Sequence, residues 1–225
     1  HIVHVVDDDQ PEELARMEAR EAERFLTEQI NSMPELRRTQ PRPMVVTGAP
    51  FDGILRAASE VKPDLIVMGS HRKQRLLDMF VGTTIERVIR KGSFPVLMVN
   101  FEAQRKYERV IIPVDMSETS AHALQIALST GLIGDKGATL LHAFVARAAG
   151  KLSYVDSDRA DFDSYIASER QRATHDLAAF LVTNDLQHIG WSLRVEEGSP
   201  MEIISRAVSE MRPDLLVMGT HGRSS

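Results

Sequence analysis

The sequence has no cysteine, one tryptophan and an aromatic content of only 5%. Without cysteine, the chain can form neither a disulfide framework nor a metal site with thiolate ligands, which is compatible with a reducing cytoplasm. No apolar run approaches the roughly 20 residues that a membrane-spanning helix needs, and no signal peptide is visible. We therefore expect a cytoplasmic protein that has no membrane partner.

The sequence also lacks an excess of positive charge. It has 27 Lys and Arg residues against 32 Asp and Glu residues, which gives a formal net charge of −5. Because domains that bind nucleic acid carry a basic surface, this balance argues against a general nucleic-acid binder. At 225 residues, with a hydrophobic content of 43%, the chain has room for two globular domains, each with its own core.

The most informative feature that is present is an internal repeat. Residues 48–71 align with residues 198–221 at a constant offset of 150, with 14 identities in 24 positions. A second match aligns Ile2–Val5 with Leu140–Ala143 at an offset of 138, so the second copy carries 12 more residues between these landmarks. This density of identity indicates a duplication. The predicted organisation is a first domain over 1–100, a linker at 101–108 and a second domain over 109–225.

Each copy contains an apolar run that ends at a glycine, followed by a hydroxyl residue and a histidine, namely Asp64–His71 and Asp214–His221. Such a run is typical of a buried parallel strand, and open α/β sheets bind ligands beyond the carboxyl ends of their strands. Thirteen residues after Gly69, the sequence Gly82-Thr83-Thr84 precedes a helical pattern. A glycine turn beside a capped helix start predicts an anion-binding cradle, and therefore a nucleotide-binding module in two copies.

Strand-like and helix-like segments alternate along both copies, which predicts parallel sheets with helices on both sides. The first copy lacks a counterpart of Arg109–Thr130, and the second stops before any counterpart of Gly82–Val99. A missing central strand would leave backbone groups unpaired, at about 1–3 kcal/mol each, so we expect the full protein to extend beyond both ends. The predicted strands are 1–6, 44–47, 65–68, 95–99, 109–113, 138–145, 192–196 and 215–218, and the predicted helices are 11–30, 51–61, 83–91, 120–130, 159–184 and 201–211.

These features resemble the universal stress protein family in its tandem two-domain form, over nearly the whole chain. The resemblance implies an α/β fold with two Rossmann-like (adenine nucleotide alpha hydrolase-like) domains. Each domain would be a five-stranded parallel sheet of order 3-2-1-4-5 flanked by helices. The residues that carry the resemblance are 110–117 (Val-Ile-Ile-Pro-Val-Asp-x-Ser), the strand that contains His142, Gly198-x-Pro200 and 214–222 in the second copy, and Gly48-x-Pro50, 64–69 and 82–99 in the first.

The resemblance also implies a cofactor, ATP, with or without Mg²⁺. ATP-binding members of the family carry Gly-x-x-Gly, nine further residues and then Gly-Ser/Thr. In the second copy Gly219 and Gly222 fit the first part of this pattern, whereas in the first copy Arg72 replaces the second glycine. Its side chain could occupy the phosphate path or donate to phosphate. The implied nucleotide-binding residues are Pro113, Val114, Asp115, Ser117, Met218, Gly219, His221, Gly222, Arg223 and Ser224 in the second copy, and Gly69, Arg72, Gly82, Thr83 and Thr84 in the first.

Most of these residues also have a purely structural interpretation. Glycines permit turns, and Thr83 and Thr84 are candidates for helix caps. Asp115 could contact ribose or adenine, or it could cap the helix that follows it. The repeated histidines, among them His4 and His142, have no carboxylate cluster with metal-ligand spacing nearby. Histidines held by hydrogen bonds at the ends of strands are therefore favoured over a metal site.

No nucleophile–base pair or general acid–base pair can be assembled from the sequence. Nucleotide binding therefore need not mean turnover, and together with the family resemblance this implies a non-catalytic stress-response regulator that binds a nucleotide. Two alternatives stay open, a nucleotide-independent binding or scaffold protein of the same fold and a weak ATPase. The resemblance further implies association through the last strand of each domain, Pro95–Val99 in the first copy. The two domains could pair within one chain, and a homodimer is a further option.

Overall fold

The computed structural model describes residues 1–69, 84–100, 106–134, 138–146 and 159–220, with side chains from residue 162 onward in the last range. The chain divides into two compact units, His1–Glu102 and Ala103–Ser225. Both units are built from parallel strands and helices, as the alternating sequence pattern predicts. Across the described residues, no helix combines the length and the apolarity that crossing a bilayer requires.

In the first unit, strand β1 pairs in parallel with β2, and β3 pairs in parallel with β4. The short helix α2 is not predicted from the sequence; it begins at a proline and ends at Gln40 in the left-handed conformation. The elements are β1 (Ile2–Val6), α1 (Glu12–Ser32), α2 (Pro34–Thr39), β2 (Pro43–Thr47), α3 (Pro50–Val61), β3 (Ile66–Gly69), α4 (Thr84–Lys91) and β4 (Val96–Val99).

The second unit contains one four-stranded parallel sheet with the order β7-β6-β5-β8. The chain adds β6 and then β7 on one side of β5 and places β8 on the other side, so the strand order reverses between β5 and β8. This reversal is the position at which open α/β sheets bind ligands. The elements are β5 (Val110–Pro113), α5 (Glu118–Ser129), β6 (Thr139–Phe144), α6 (Arg159–Thr183), β7 (Ser192–Glu197), α7 (Pro200–Met211) and β8 (Leu215–Leu216).

The described residues form sheets of two, two and four strands rather than two five-stranded sheets. The second unit follows the 3-2-1-4 part of the expected order. In the first unit, the described strand pairs β1–β2 and β3–β4 do not join. No strand among the described residues of the first unit corresponds to β5, the strand that lies between β6 and β8 in the second unit, so nothing described there links the two pairs.

The core of the second unit lies on both faces of its sheet, in agreement with the predicted helices on both sides. Ile111 and Leu141 pack with Ile203 of α7, and all three are almost fully buried. On β6, Phe144 has the opposite parity to Leu141 and packs against Ala173 of α6 instead. His142 shares the parity of Phe144, so its side chain lies on the face away from α7.

Helix boundaries show where local sequence signals are overruled. Aspartates favour N-cap positions, and Asp7–Asp9 precede α1, but Pro11 occupies the N-cap and no side chain caps the helix. Helices α3 and α7 are followed by the C-cap residues Lys62 and Arg212, each directly before a proline, with φ values of 46° and 45°. These equivalent ends follow from the exclusion of right-handed helix before proline.

An ion-pair network joins β7 to α7 in the second unit. Arg194 and Arg206 both bond Glu196, and Arg194 also donates to Glu210 Oε2 at 2.6 Å. Burial alone would raise the pKa of the Glu196 carboxyl, but the hydrogen bonds from Arg206 and Arg194 hold that pKa below its ordinary value. Val46 occupies the equivalent position of the first copy, which therefore cannot form this network.

We expect Glu196→Gln to lower the free energy of unfolding of the second unit by about 1–2 kcal/mol at pH 7. Because the folded pKa of Glu196 is depressed, the stabilisation is fully present above the unfolded carboxyl pKa of about 4.3 and is lost as the pH falls through the folded value. The difference between variant and wild type should therefore shrink below about pH 4. Urea unfolding followed by the fluorescence of Trp191, the single tryptophan, measures it.

The exposed neighbour Glu197 provides the matched control. Glu197→Gln removes the same charge from the same strand. It should change the unfolding free energy by less than about 0.5 kcal/mol, both at pH 7 and below about pH 4. A loss for Glu196→Gln that does not diminish in acid would contradict the assigned role of the network.

Candidate functional site

The candidate site lies at the carboxyl ends of β5 and β8, where the strand order of the second unit reverses. Strand β5 ends at Pro113, and the Val114 N–H still donates to the Leu141 carbonyl of β6 at 2.9 Å. The chain then turns through Asp115 and Met116 and enters α5. Ser117 is the N-cap of this helix. The turn therefore places polar groups at the edge where ligands of this architecture bind.

A hydrogen-bonded cluster fixes the carboxylate of Asp115. Its Oδ1 accepts from the Ser117 backbone N–H at 3.0 Å, from Ser117 Oγ at 2.5 Å and from Ser120 Oγ at 2.6 Å. Ser120 is buried, and its Oγ also accepts from the Asp115 N–H at 3.3 Å. Ser117 Oγ in turn accepts from the Ser120 N–H at 3.2 Å, which caps α5. The carboxylate is therefore held in one orientation.

Met116, at the centre of the turn, has a φ of +59°. For a residue with a side chain, the left-handed conformation costs about 1–2 kcal/mol. Such a conformation persists where the surrounding contacts impose it, and backbone strain of this kind is frequent at functional sites. Here the bonds from Ser117 and Ser120 to Asp115 impose it from the helix side.

Gly219 brings the carboxyl end of β8 against the first turn of α5. A Cβ atom added to Gly219 would lie 3.1 Å from Thr119 Cγ2 and 3.2 Å from both the backbone carbon and the carbonyl oxygen of Thr119. These distances are tighter than most Cβ contacts, so a side chain at this position would require Thr119 or the segment after β8 to shift by a few tenths of an ångström. At its repeat counterpart Gly69, an added Cβ would have no atom of the described residues within 4 Å. The two glycines are thus equivalent in sequence but not in packing.

Five of the predicted site residues lie together around the start of α5. Gly219 is one of these five, and it approaches the helix at Thr119. Met218, which is also predicted, is about half exposed beside Gly219. In the first unit, Gly69 is the last residue of β3 and Thr84 is the first residue of α4. The five that meet are Pro113, Val114, Asp115, Ser117 and Gly219. The predicted residues Arg72, Gly82, Thr83, His221, Gly222, Arg223 and Ser224 lie outside the described part of the chain.

Two residues of the site are not identified from the sequence. A local signal could have identified Ser120, which is three positions after the N-cap residue, because hydroxyl side chains in the first turn of a helix commonly bond the preceding turn. Thr119 carries no such signal, since its role arises only when β8 is placed beside α5.

The repeated histidines behave differently in the two units. His142 is buried within β6, and its Nδ1 lies 2.7 Å from the carbonyl oxygen of Val114, just beyond the end of β5, so the expected hydrogen bond holds it although it is not the last residue of its strand. His4, its counterpart in β1, is exposed. Within the ranges that the structure describes, no three His, Asp or Glu side chains are grouped so that they could hold a metal ion.

Comparison with known proteins places these features in context. The sequence profile of the universal stress protein family matches residues 1–100 and again 106–225. Universal stress protein MJ0577 of Methanocaldococcus jannaschii is 39% identical over 56 residues, a match that covers 25% of this chain and 35% of that protein. The alignment thus spans about a third of the length of this curated relative.

Solved structures with a similar fold include two proteins described as a universal stress protein and a putative one. The first, from Archaeoglobus fulgidus, has a TM-score of 0.62 at 18% identity, over 98% of this chain and 74% of the other. The second, from Pseudomonas aeruginosa, has a TM-score of 0.57 at 16% identity, over 99% of this chain and 83% of the other. At these identities the comparisons establish the fold alone.

Proposed function

The chain belongs to the universal stress protein family, with two copies of the family domain, and from that premise we propose that its second unit binds an adenine nucleotide. The binding site is the carboxyl edge formed by β5, β8 and the start of α5. The close approach of Gly219 to Thr119 is the observation that carries the proposal, because it joins the two strand ends that flank the reversal of strand order.

The described residues fit a nucleoside. The oriented carboxylate of Asp115 accepts a hydrogen bond from the ribose hydroxyls or from the adenine amino group. The amino-terminal end of α5 favours negative charge nearby, which suits a phosphorylated ligand. Gly222, Arg223 and Ser224 follow Gly219 in the sequence and would supply backbone and side-chain donors to the phosphates. ATP supplies the polyphosphate in this proposal, with Mg²⁺ as its counter-ion.

The first unit is proposed to bind a nucleotide more weakly. It has Gly69 at the end of β3 and Thr84 at the start of α4, but Arg72 stands where the family pattern has glycine. A long side chain in place of glycine would narrow the path of the phosphates, unless its guanidinium donated to them. In both units we propose that the complete sheet is the five-stranded sheet of order 3-2-1-4-5.

The proposed role is that of a non-catalytic, cytoplasmic stress-response regulator whose conformation or assembly depends on nucleotide occupancy. Pairing of the last strands, including Val96–Val99, would join the two units of one chain or two chains. A nucleotide-independent scaffold is the second candidate, because Asp115 Oδ1 already accepts three hydrogen bonds from its own turn. Mass spectrometry of small molecules released from the purified protein discriminates between these roles, and phosphate release from ATP measures any weak ATPase activity.

If the proposal is right, ATP should stabilise the protein. At a free ATP concentration of 100 times the dissociation constant, binding to the folded state alone raises the free energy of unfolding by about 2.7 kcal/mol. Thermal unfolding with and without millimolar MgATP measures this effect, with sodium sulfate at matched ionic strength as the control. A melting curve that MgATP does not shift beyond the salt control would contradict nucleotide binding.

A further inference from the structure

The repeated histidine of the second unit bonds to the turn that carries Asp115. His142 Nδ1 lies 2.7 Å from the carbonyl oxygen of Val114, the residue immediately before Asp115. A carbonyl oxygen can only accept a hydrogen bond, so Nδ1 carries the hydrogen and donates it. In the neutral ring this fixes the tautomer, with the hydrogen on Nδ1 and none on Nε2.

Both backbone polar groups of Val114 are hydrogen-bonded to β6. Its N–H donates to the Leu141 carbonyl at 2.9 Å, and its own carbonyl accepts from the His142 ring. Val114 and the His142 ring are both buried, so each polar group would lose water without gaining a partner if this bond were absent. The last backbone position before the site is therefore fixed by β6.

The turn after Val114 is then held from two directions. Asp115 and the left-handed Met116 follow, and Ser117 and Ser120 hold Asp115 from the helix side. His142 holds the strand side. A strained turn needs constraints at both ends, since release at either end allows the backbone to relax and the carboxylate to swing away.

We propose that His142 is a positioning residue of the nucleotide site, which donates from Nδ1 to Val114 and thereby fixes the orientation in which Asp115 meets the ligand. This inference rests on the proposed function of the second unit. His142 contacts the turn and not the ligand in this assignment, so its effect on binding is transmitted through the backbone.

The two units provide a matched comparison. His4 is the repeat counterpart of His142, but it is exposed on β1, and the described residues of its unit include no counterpart of the turn at residues 114–117. Substitution of His4 thus controls for general effects of removing a histidine from a strand. Substitution of His142 tests the bond to Val114.

Three replacements at His142 separate the effect of the donor's position from the effect of side-chain size. Asn places an amide donor near the position of Nδ1, Gln places one near Nε2, and Leu removes the donor. We expect His142→Leu and His142→Gln to raise the dissociation constant of ATP by about tenfold, and His142→Asn to stay within about threefold of wild type. His4→Leu should leave the affinity unchanged.

Backbone hydrogen exchange provides a readout that needs no ligand. The Ser117 N–H is bonded to Asp115 Oδ1, so its exchange rate reports the integrity of the turn. We expect exchange at Ser117 to be about tenfold faster in His142→Leu and His142→Gln, with wild-type rates in His142→Asn and His4→Leu. If the Leu variant does not fold, the Asn and Gln pair carries the comparison.

Each outcome decides the assignment. Weak ATP binding and fast exchange in the Leu and Gln variants, both rescued by Asn, support the positioning role. Wild-type affinity in all three variants overturns it while the proposed function stands, and equal behaviour of Asn and Gln overturns the assignment to Nδ1. If wild-type protein does not bind ATP, the proposed function fails, and the inference falls with it as a statement about binding. Exchange at Ser117 then decides whether His142 holds the turn.

Discussion

Asp115→Ala should bind ATP about 30-fold more weakly than wild type, a loss of roughly 2 kcal/mol that is typical of a hydrogen bond to a charged group. Alanine removes the acceptor that Ser117 and Ser120 share, so the turn loses its constraint on the helix side together with the carboxylate. The free energy of unfolding should also fall by about 2 kcal/mol, because the buried Ser120 hydroxyl is left without this acceptor. Calorimetric titration with ATP and calorimetric unfolding measure the two losses separately.

Asp115→Asn is the informative companion variant. Asparagine keeps the size of the side chain and one carbonyl acceptor for the donors of the turn, but it removes the charge. Its stability should lie close to that of wild type, whereas its ATP affinity should remain several-fold lower. If Asp115→Ala loses stability but binds ATP like wild type, Asp115 serves only to support the start of α5. That result would favour the nucleotide-independent alternative.

Gly219→Ala should destabilise the second unit by about 1–2 kcal/mol, within the range seen for overpacked sites. The new Cβ would approach the backbone of Thr119 to 3.2 Å, and backbone atoms of a helix cannot rotate away as a side chain can. Either β8 or the first turn of α5 must shift, and each shift widens the candidate site. We therefore expect weaker ATP binding as well, measured by calorimetry under conditions where the variant is folded.

Gly69→Ala is the matched control in the first unit. Its added Cβ would meet no atom within 4 Å in the part of the chain that the structure describes, and the φ of Gly69 is not positive. Alanine should therefore be neutral, or stabilising by about 0.5 kcal/mol through the lower entropy of the unfolded chain. Equal destabilisation by both substitutions would mean that the repeated glycines serve a common backbone role and not the close packing seen at Gly219.

Much of the fold is predictable from the sequence because its signals are local and repeated. The apolar runs and helical stripes place the strands and most helices within a few residues of their positions in the structure. The predicted helix starts differ from the observed ones where adjacent residues compete for the N-cap position. Helix α5 begins at Glu118 and not at Ser120, because Ser117 accepts a hydrogen bond from the Ser120 N–H and caps the helix earlier. At α1, Pro11 displaces the aspartates that precede it as the N-cap.

The candidate site is predictable only as a set of positions. A strand followed by Asp115 and an apolar run that ends at Gly219 are visible in the sequence, and the ends of both are expected at the same edge of a sheet. The contact of Gly219 with Thr119 joins elements about a hundred residues apart and depends on the placement of β8 beside β5. The bond from His142 to Val114 similarly depends on the register of β5 with β6. Such packing is not encoded in local patterns.

The most direct measurement is a titration of the isotope-labelled protein with a non-hydrolysable ATP analogue, followed by the NMR shifts of its backbone amides. Binding at the proposed edge predicts saturable shifts that are concentrated in residues 114–120 and 217–220. Shifts at this edge should share one dissociation constant, and Asp115→Ala should weaken it. If the analogue at millimolar concentration leaves these two segments unshifted, the second unit does not bind a nucleotide at the carboxyl ends of β5 and β8.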